Sequence, residues 1–159
     1  MTSPKSTVRL LHLEDNPRAA ELVQERLASE GLACEILHVE SPRQFEAAMA
    51  RKQFDLLLCD YDMPSYDGST AMKRARRSQP DVPVIFLSGA MGDDPTLKCL
   101  DMGAADCLRK HRLDYLVPAM KRVLHVSAAE RRNREVHVPK IATRKTAPMH
   151  APAPRAAAA

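Results

Sequence analysis

Short apolar runs alternate along the first 126 residues with longer stretches in which apolar side chains recur every three or four positions. The run Val8 to Leu13 is typical of a buried strand, and the helically spaced residues after it end at Gly31. The pattern recurs four times, and it predicts five strands, each followed by a helix. The four later strands are predicted at Ala33 to Val39, Leu56 to Cys59, Val82 to Leu87 and Asp106 to Leu108.

The apolar character of these runs also indicates how the strands pair. Strands that are apolar on both faces need cover on both faces, and a helix between consecutive strands supplies it. Right-handed crossover connections then make the strands parallel. The sequence therefore predicts an α/β fold, a doubly wound five-stranded parallel sheet with five helices.

Charge divides the chain near residue 126. Residues 1–126 hold 17 basic and 18 acidic side chains, a net charge of −1, whereas residues 127–159 hold 7 and 2, a net charge of +5. This second part has scattered prolines and no aromatic residue, so it has little apolar surface to offset the entropy of ordering. We predict a domain over 1–126 and a basic Ala/Pro-rich tail over 127–159. Ser127 to Glu135 should briefly extend the last helix, and the rest should be disordered.

The compartment is predicted from what the chain lacks. No stretch approaches the roughly 18 consecutive apolar residues of a membrane span, and Met1 to Lys5 leads into no signal-peptide core. The cysteines have no metal-ligand spacing, and they are predicted to be reduced and structural. These features predict a soluble, cytoplasmic protein. The four cysteines are Cys34, Cys59, Cys99 and Cys107.

Polar side chains that can carry chemistry follow the predicted strands. In a doubly wound sheet, ligands bind beyond the carboxyl ends of the strands. Two carboxylates about 4 Å apart repel by roughly 4 kcal/mol at a surface-like dielectric, so a cluster of them needs a cation. Hard oxygen ligands without His or thiolate select Mg²⁺. The residues at the strand ends are Glu14, Asp15, Asp60, Ser88, Gly89 and Lys110.

Asp60 stands out within this group. A carboxylate directly after the buried run that ends at Cys59 is costly, and this cost favours a chemical role for it. We interpret Asp60 as a nucleophile that receives a phosphoryl group, with Mg²⁺ and Lys110 to neutralise the charge.

Taken in order, these segments resemble the receiver domain of bacterial two-component response regulators. The resemblance covers roughly Val8 to Val126, and its segments are LEDN, DYDMPSYDG, FLSGA, GAADCLRK and the amphipathic closing helix. Each segment is weak evidence alone, but the ordered set is highly specific. The resemblance implies a single-domain regulator of the chemotaxis-regulator type, with the flavodoxin-like strand order 2-1-3-4-5.

The resemblance also implies a role for each site residue. Asp60 would accept phosphate from a histidine kinase or a phosphotransfer protein, Ser88 would bond the phosphate and Lys110 would pair with it. Such a chain is a phosphoacceptor signalling protein rather than an enzyme, and its only reactions are self-phosphoryl transfer and autodephosphorylation. The implied Mg²⁺ ligands are Glu14, Asp15, Asp60 and the backbone carbonyl of Asp62.

The resemblance further implies how the signal leaves the site. The new charge draws Ser88 and Lys110 towards the phosphate, and Ser88 moves the loop from Gly89 to Asp94 with it. The face formed by the fourth helix, the fifth strand and the fifth helix then changes its affinity for a downstream protein.

Three positions depart from the family pattern. The acidic pair is Glu14-Asp15 rather than two aspartates, which leaves metal binding expected. His111 follows Lys110 where many members have proline, so the usual cis peptide is in doubt. Cys107 stands where many receivers have an aromatic side chain that swings inward on activation, so this readout is absent.

Each of these residues also has an ordinary structural interpretation. Asp15 could cap a helix, the Asp62 side chain could stabilise the turn before Pro64, Ser88 could cap a turn and Lys110 could be a solvated charge. The basic run at residues 73–77 is interpreted as a solvated helix face rather than a nucleic-acid patch.

Two other functions compete with the receiver. The basic tail could bind nucleic acid under control of the receiver, but it lacks aromatic residues for stacking and any fold that enters a groove. The DYD sequence also suits a haloacid-dehalogenase-type enzyme, which uses an Asp nucleophile and Mg²⁺. That family carries its nucleophile on the first strand, whereas Asp60 follows the third.

Overall fold

The computed structural model describes residues 6–64, 66–89 and 96–137. Strands and helices alternate through these residues as predicted, and a 3₁₀ turn, Leu113–Tyr115, precedes the last helix. The strands are β1 Val8–Leu13, β2 Cys34–Val39, β3 Leu56–Asp60, β4 Val84–Ser88 and β5 Asp106–Arg109. The helices are α1 Pro17–Ser29, α2 Pro42–Arg51, α3 Gly68–Ser78, α4 Thr96–Asp101 and α5 Leu116–His137.

All five strands belong to one parallel sheet in the order β2-β1-β3-β4-β5. This confirms the predicted fold class and strand order. β1, β3 and β4 lie inside the sheet, and every residue of β3 and β4 is buried. The chain reverses the direction of winding between β1 and β3, and the carboxyl ends of these strands meet at that point.

Two hydrophobic cores cover the two faces of the sheet. Side chains along β3 alternate between them: Leu56 and Leu58 face the core under α1 and α5, while Leu57 and Cys59 face the core under α2, α3 and α4. This alternation explains why β3 is apolar at four successive positions. It also means that Asp60, the last residue of β3, is the first polar group in a strand buried on both sides.

Local sequence signals fix the starts of the helices. Asn16 caps α1 by accepting hydrogen bonds from the backbone N–H groups of Arg18 and Ala19, and Pro17 occupies the first helical position. The interpretation of Asp15 as this N-cap is therefore wrong. Ser41 caps α2 in the same way, and Asp67 caps α3.

The last helix is longer than a domain ending at Val126 requires. α5 continues to His137, which confirms the predicted helical extension over Ser127 to Glu135, and Arg134 on this extension forms an ion pair with Asp81. The domain boundary stays a prediction. Residues 138–159 lie outside the described part of the chain, so the structure does not test the predicted disorder of the tail or its nucleic-acid role. The predicted start of α4 at Asp94-Pro95 also lies outside the described residues.

Among the residues placed by the structure, no helix is long and apolar enough to cross a bilayer.

Candidate functional site

The carboxyl ends of β1 and β3 bring three carboxylates together. Glu14 and Asp15 follow β1 directly, Asp60 ends β3, and the register that pairs Leu13 with Cys59 sets these ends side by side. One carboxylate oxygen from each of the three acidic residues lies within 4.8 Å of the others. Glu14 and Asp60 are buried and Asp15 is exposed, so the cluster has one open side. The predicted convergence of these carboxylates is confirmed.

Lys110 connects two of these carboxylates. Its Nζ lies 2.7 Å from Glu14 Oε2 and 3.0 Å from Asp60 Oδ2, and its backbone N–H donates to the Ser88 carbonyl at 2.9 Å. The Lys110 side chain is 27% exposed, so this ion pair is shielded from water far more than a surface pair. The interpretation of Lys110 as a solvated charge is therefore wrong.

The charges within the site are unbalanced. Glu14, Asp15 and Asp60 carry three negative charges when ionised, and Lys110 supplies one positive charge. Hard carboxylate oxygens on an open-sided cluster with a net negative charge are the donor set that Mg²⁺ prefers. The residues present therefore fit a magnesium ion.

Burial and pairing shift the protonation of the site. Burial raises the pKa of Glu14, although hydrogen bonds from Lys110 and from the Asn16 backbone N–H oppose this rise. Burial by itself would lower the pKa of Lys110, but its hydrogen bonds to Glu14 and Asp60 outweigh this effect, and the net shift is upward. Lys110 is therefore a stable cation at neutral pH.

Asp60 is held through both carboxylate oxygens. Oδ1 accepts a hydrogen bond from the Asp62 backbone N–H at 2.9 Å, and Oδ2 faces Lys110. The residue is 4% exposed. A buried carboxylate with both oxygens fixed, at a strand end next to a cation, is oriented for chemistry from the open side of the cluster.

The Asp62 side chain contacts β4. Asp62 Oδ2 accepts hydrogen bonds from Ser88 Oγ at 2.9 Å and from the Gly89 backbone N–H at 2.8 Å. The sequence interpretation assigned this side chain to the turn before Pro64 and missed the contact with β4. No sequence signal could have revealed it, because the partners are 26 and 27 residues away and meet only when β3 and β4 pair.

His12 is a second feature that the sequence interpretation missed. It lies in β1 with no exposed surface, and neither ring nitrogen has a hydrogen-bond partner among the residues that the structure describes. Its ring centroid is 5.7 Å from that of His38, its register partner in β2. Burial, with smaller effects from the charges of His38 and Lys110, lowers the pKa of His12 to about 3. The imidazole is therefore neutral in the folded protein.

The remaining departures from the family pattern can also be located. The peptide bond between Lys110 and His111 is trans, as are all peptide bonds in the described part of the chain. Cys107 lies in β5 and is 8% exposed. The segment from Gly89 to Asp94 is described only at Gly89, so the structure does not test the predicted movement of this loop.

A family model described as "Response regulator receiver domain" matches residues 10–121. The chain is 29% identical over 127 residues to the DNA-binding transcriptional regulator NtrC of Salmonella typhimurium, a match that covers 79% of this chain and 27% of that protein. It is 30% identical over 103 residues to the transcriptional regulatory protein RprY of Bacteroides fragilis, covering 65% and 43% of the two chains. The chain thus spans less than half the length of these curated relatives.

Solved structures of receiver domains have the same fold as this chain. The receiver domain of the sensor histidine kinase PA1611 from Pseudomonas aeruginosa PAO1 superposes with a TM-score of 0.65 at 25% identity, over 76% of this chain and 99% of that one. A magnesium ion is coordinated in the active site cleft of that structure.

Proposed function

The chain belongs to the response regulator receiver domain family, and on this premise we propose that Asp60 accepts a phosphoryl group from a histidine kinase or a phosphotransfer protein. The observation that carries the proposal is the environment of Asp60, a buried carboxylate at a strand end with Lys110 on one side and an acidic pair on the other. The chain acts in two-component signalling as a phosphoacceptor. Its proposed place of action is the cytoplasm, where histidine kinases present their phosphohistidine.

The proposed reaction is a single displacement at phosphorus. An oxygen of Asp60 attacks the phosphohistidine phosphorus, the P–O bond forms, and the P–N bond breaks with its electrons returning to the imidazole. Asp60 reacts through a carboxylate oxygen, and the ammonium of Lys110 lies 3.0 Å from Asp60 Oδ2, where it can offset the charge of the incoming phosphoryl group. Glu14, Asp15, Asp60 and the Asp62 backbone carbonyl would hold Mg²⁺, which when bound neutralises charge on the phosphoryl oxygens.

Phosphorylation changes what Lys110 and Ser88 can contact. The modification adds a charge of about −1.5 to −2 next to Lys110, which can then exchange its contact with the Asp60 carboxylate for the phosphoryl oxygens. Ser88 can reach a phosphoryl oxygen only by giving up its bond to Asp62. The proposed switch is therefore an exchange of the Ser88 acceptor from Asp62 to the phosphate.

The proposed output face consists of α4, β5 and α5. Large apolar side chains at this end of the sheet are open to solvent: Leu97 is 72% exposed, Leu100 is 44% exposed and Tyr115 is 52% exposed. Solvent-exposed apolar groups of this size suit a protein-binding surface. The proposed partner is a downstream protein whose affinity for this face changes when Asp60 is phosphorylated.

Replacement of the nucleophile tests the proposal. Asp60→Asn keeps the shape of the side chain and the acceptor for the Asp62 N–H, but it removes the nucleophile. The matched control is Asp55→Asn, just before the opposite end of the same strand, where Asp55 pairs with Arg9. Each protein is incubated with acetyl phosphate and Mg²⁺, and its intact mass is measured by mass spectrometry. The sample is kept at neutral pH because acyl phosphates are labile. Wild type and Asp55→Asn should gain one phosphoryl group and Asp60→Asn none. A phosphoryl group on Asp60→Asn would refute the assignment.

A further inference from the structure

Two cysteine thiols meet beneath α4. Cys99 lies in α4 and Cys107 in β5, and the Cys99 thiol donates to the Cys107 sulfur across a distance of 3.1 Å between the two Sγ atoms. Cys99 has no exposed surface and Cys107 is 8% exposed. Both belong to the core on the α2, α3 and α4 face of the sheet. Neither thiol takes part in the acidic cluster.

The chain between the two cysteines holds them in this arrangement. The turn from α4 to β5 is closed by hydrogen bonds from the Gly103 N–H to the Leu100 carbonyl at 2.9 Å and from the Ala104 N–H to the Cys99 carbonyl at 3.1 Å. Gly103 adopts a φ of 92°, a conformation that glycine reaches without strain. This short, hydrogen-bonded connection keeps the two sulfurs close together when α4 is packed on the sheet.

The separation of the sulfurs is short enough for covalent linkage. A disulfide has an S–S distance of about 2.05 Å, so the two sulfurs need to approach by only about 1 Å. Rotation about the side-chain bonds of two cysteines can move their sulfurs by this distance. Cys107 is the more exposed of the two residues, at 8% against 0% for Cys99, so it is the one assigned to react first with a small oxidant.

We propose that Cys99 and Cys107 form an oxidisable dithiol that closes to a disulfide in the presence of hydrogen peroxide and fixes α4 to β5. Peroxide first converts the Cys107 thiol to a sulfenic acid and releases one water. The Cys99 sulfur then attacks the Cys107 sulfur, the S–S bond forms, and the hydroxyl group leaves with the Cys99 proton as a second water. The two thiols lose two electrons in total, and one peroxide is reduced to two waters.

The disulfide would act on the mobility of α4. This helix has only six residues, and its outer side exposes Leu97 and Leu100. A covalent bond from its buried side to β5 removes the local openings in which α4 leaves the sheet. The reduced protein keeps those openings, so the redox state sets how freely α4 moves.

Peptide mapping after peroxide treatment tests the linkage. The full chain is used with Cys34→Ser, because Cys34 is only partly buried and could react between molecules. Trypsin leaves both cysteines on one peptide, residues 99–109, and cleavage before Asp101 and Asp106 then separates them unless they are linked. We expect a linked pair of peptides that dithiothreitol separates, and Cys59 retained as a thiol. Recovery of both thiols after peroxide, or Cys107 oxidised to a sulfinic acid beside a Cys99 thiol, would overturn the proposal.

Hydrogen exchange provides a second readout. Amides of α4 should exchange more slowly in the oxidised protein than in the reduced one, and Cys107→Ser should show no such difference with or without peroxide. Equal exchange in the linked and reduced proteins would overturn the claim that the bond fixes α4. Asp60→Asn should form the disulfide as readily as the parent, so failure of the phosphoacceptor assignment and failure of the dithiol assignment remain distinguishable.

Discussion

The Ser88 hydroxyl donates a hydrogen bond to the Asp62 carboxylate, with 2.9 Å between Ser88 Oγ and Asp62 Oδ2. The Gly89 N–H donates to the same oxygen at 2.8 Å. Asp62 thus holds the end of β4 in a position where the Ser88 hydroxyl already donates a hydrogen bond. A phosphoryl group on Asp60 has to compete with Asp62 for this hydroxyl.

Removal of the Asp62 carboxylate should therefore favour the phosphorylated conformation. A hydrogen bond to a charged group contributes roughly 1.5–3 kcal/mol, and about 1.4 kcal/mol corresponds to a tenfold change in affinity. We expect Asp62→Ala to bind the phosphoryl mimic beryllofluoride about tenfold more tightly in the presence of Mg²⁺. Titration followed by the chemical shift of the Gly89 amide measures the affinity.

A double-mutant cycle separates the hydrogen bond from the simple loss of a negative charge. In a Ser88→Ala background, Asp62→Ala should increase the beryllofluoride affinity much less, because no hydroxyl remains to be released. An equal gain in both backgrounds would show that charge repulsion alone is responsible. Ser88→Ala should still be phosphorylated on Asp60, since Lys110 and the acidic pair remain.

Most of the acidic site could be predicted because it depends on strand ends. Asp60 follows a run that is buried on both faces, and Glu14 and Lys110 follow two other strands of the same parallel sheet. Once the sheet is recognised as parallel, the edge that these side chains share follows from the topology. The position of Lys110 at this edge was predicted, whereas its ion pairs with Glu14 and Asp60 are seen only in the structure.

The features that escaped prediction depend on packing between distant segments. The Asp62–Ser88 bond requires the geometry of the turn after β3 together with the pairing of β3 and β4. His12 stands between Leu11 and Leu13 of β1, and the sequence does not reveal that both ring nitrogens lack a hydrogen-bond partner among the described residues. The Cys99–Cys107 contact depends on how the turn at Gly103 aligns α4 with β5.

Lys110 is predicted to stabilise the metal-free protein. Lys110→Met leaves the Glu14 and Asp60 carboxylates, 1% and 5% exposed, without their cation. Leaving a buried charge unpaired is strongly destabilising, and we expect a loss of about 2 kcal/mol in the free energy of unfolding in EDTA, since Lys110 is partly exposed. Mg²⁺ should restore part of the loss and stabilise the variant more than the wild type.

Urea unfolding with EDTA or Mg²⁺ measures these differences. Lys52→Met is the matched control, because Lys52 pairs with Glu35 on the surface at 59% and 68% exposure and should contribute little. Equal stabilisation of wild type and Lys110→Met by Mg²⁺ would show that Lys110 and the metal do not act on the same carboxylates.

His12 should make the folded protein sensitive to acid. The pKa of His12 falls from 6.5 to about 3 on folding, so below pH 6.5 the unfolded chain binds a proton that the folded protein does not. Protonation of His12 therefore has no effect on stability above pH 6.5, and it lowers the stability progressively as the pH falls towards 3. The raised pKa of Glu14 acts in the opposite direction, because the folded protein then binds its proton first.

His12→Leu isolates this effect. The substitution removes two buried nitrogens and should stabilise the protein at pH 7 by about 1–2 kcal/mol. Its advantage over the wild type should grow as the pH falls from 6.5, since one pKa unit corresponds to about 1.4 kcal/mol. His125→Leu, at an exposed position of α5, is the matched surface control. Urea unfolding at several pH values provides the comparison, and a constant difference between His12→Leu and wild type would contradict it.

The final prediction concerns how much of the C-terminal region supports the domain. Deletion of residues 136–159 removes Val136, which is 82% exposed, and keeps the Arg134–Asp81 ion pair. The thermal midpoint should change by less than about 2 °C, because no described core contact is lost.

Deletion of residues 127–159 also removes the end of α5 and the Arg134–Asp81 ion pair, and it should lower the thermal midpoint by about 4 °C. Arg134→Ala within the shorter deletion separates the ion pair, expected to contribute at most about 1 kcal/mol, from the helix end. A fall of more than about 5 °C on deleting only 136–159 would mean that the basic tail docks on the domain.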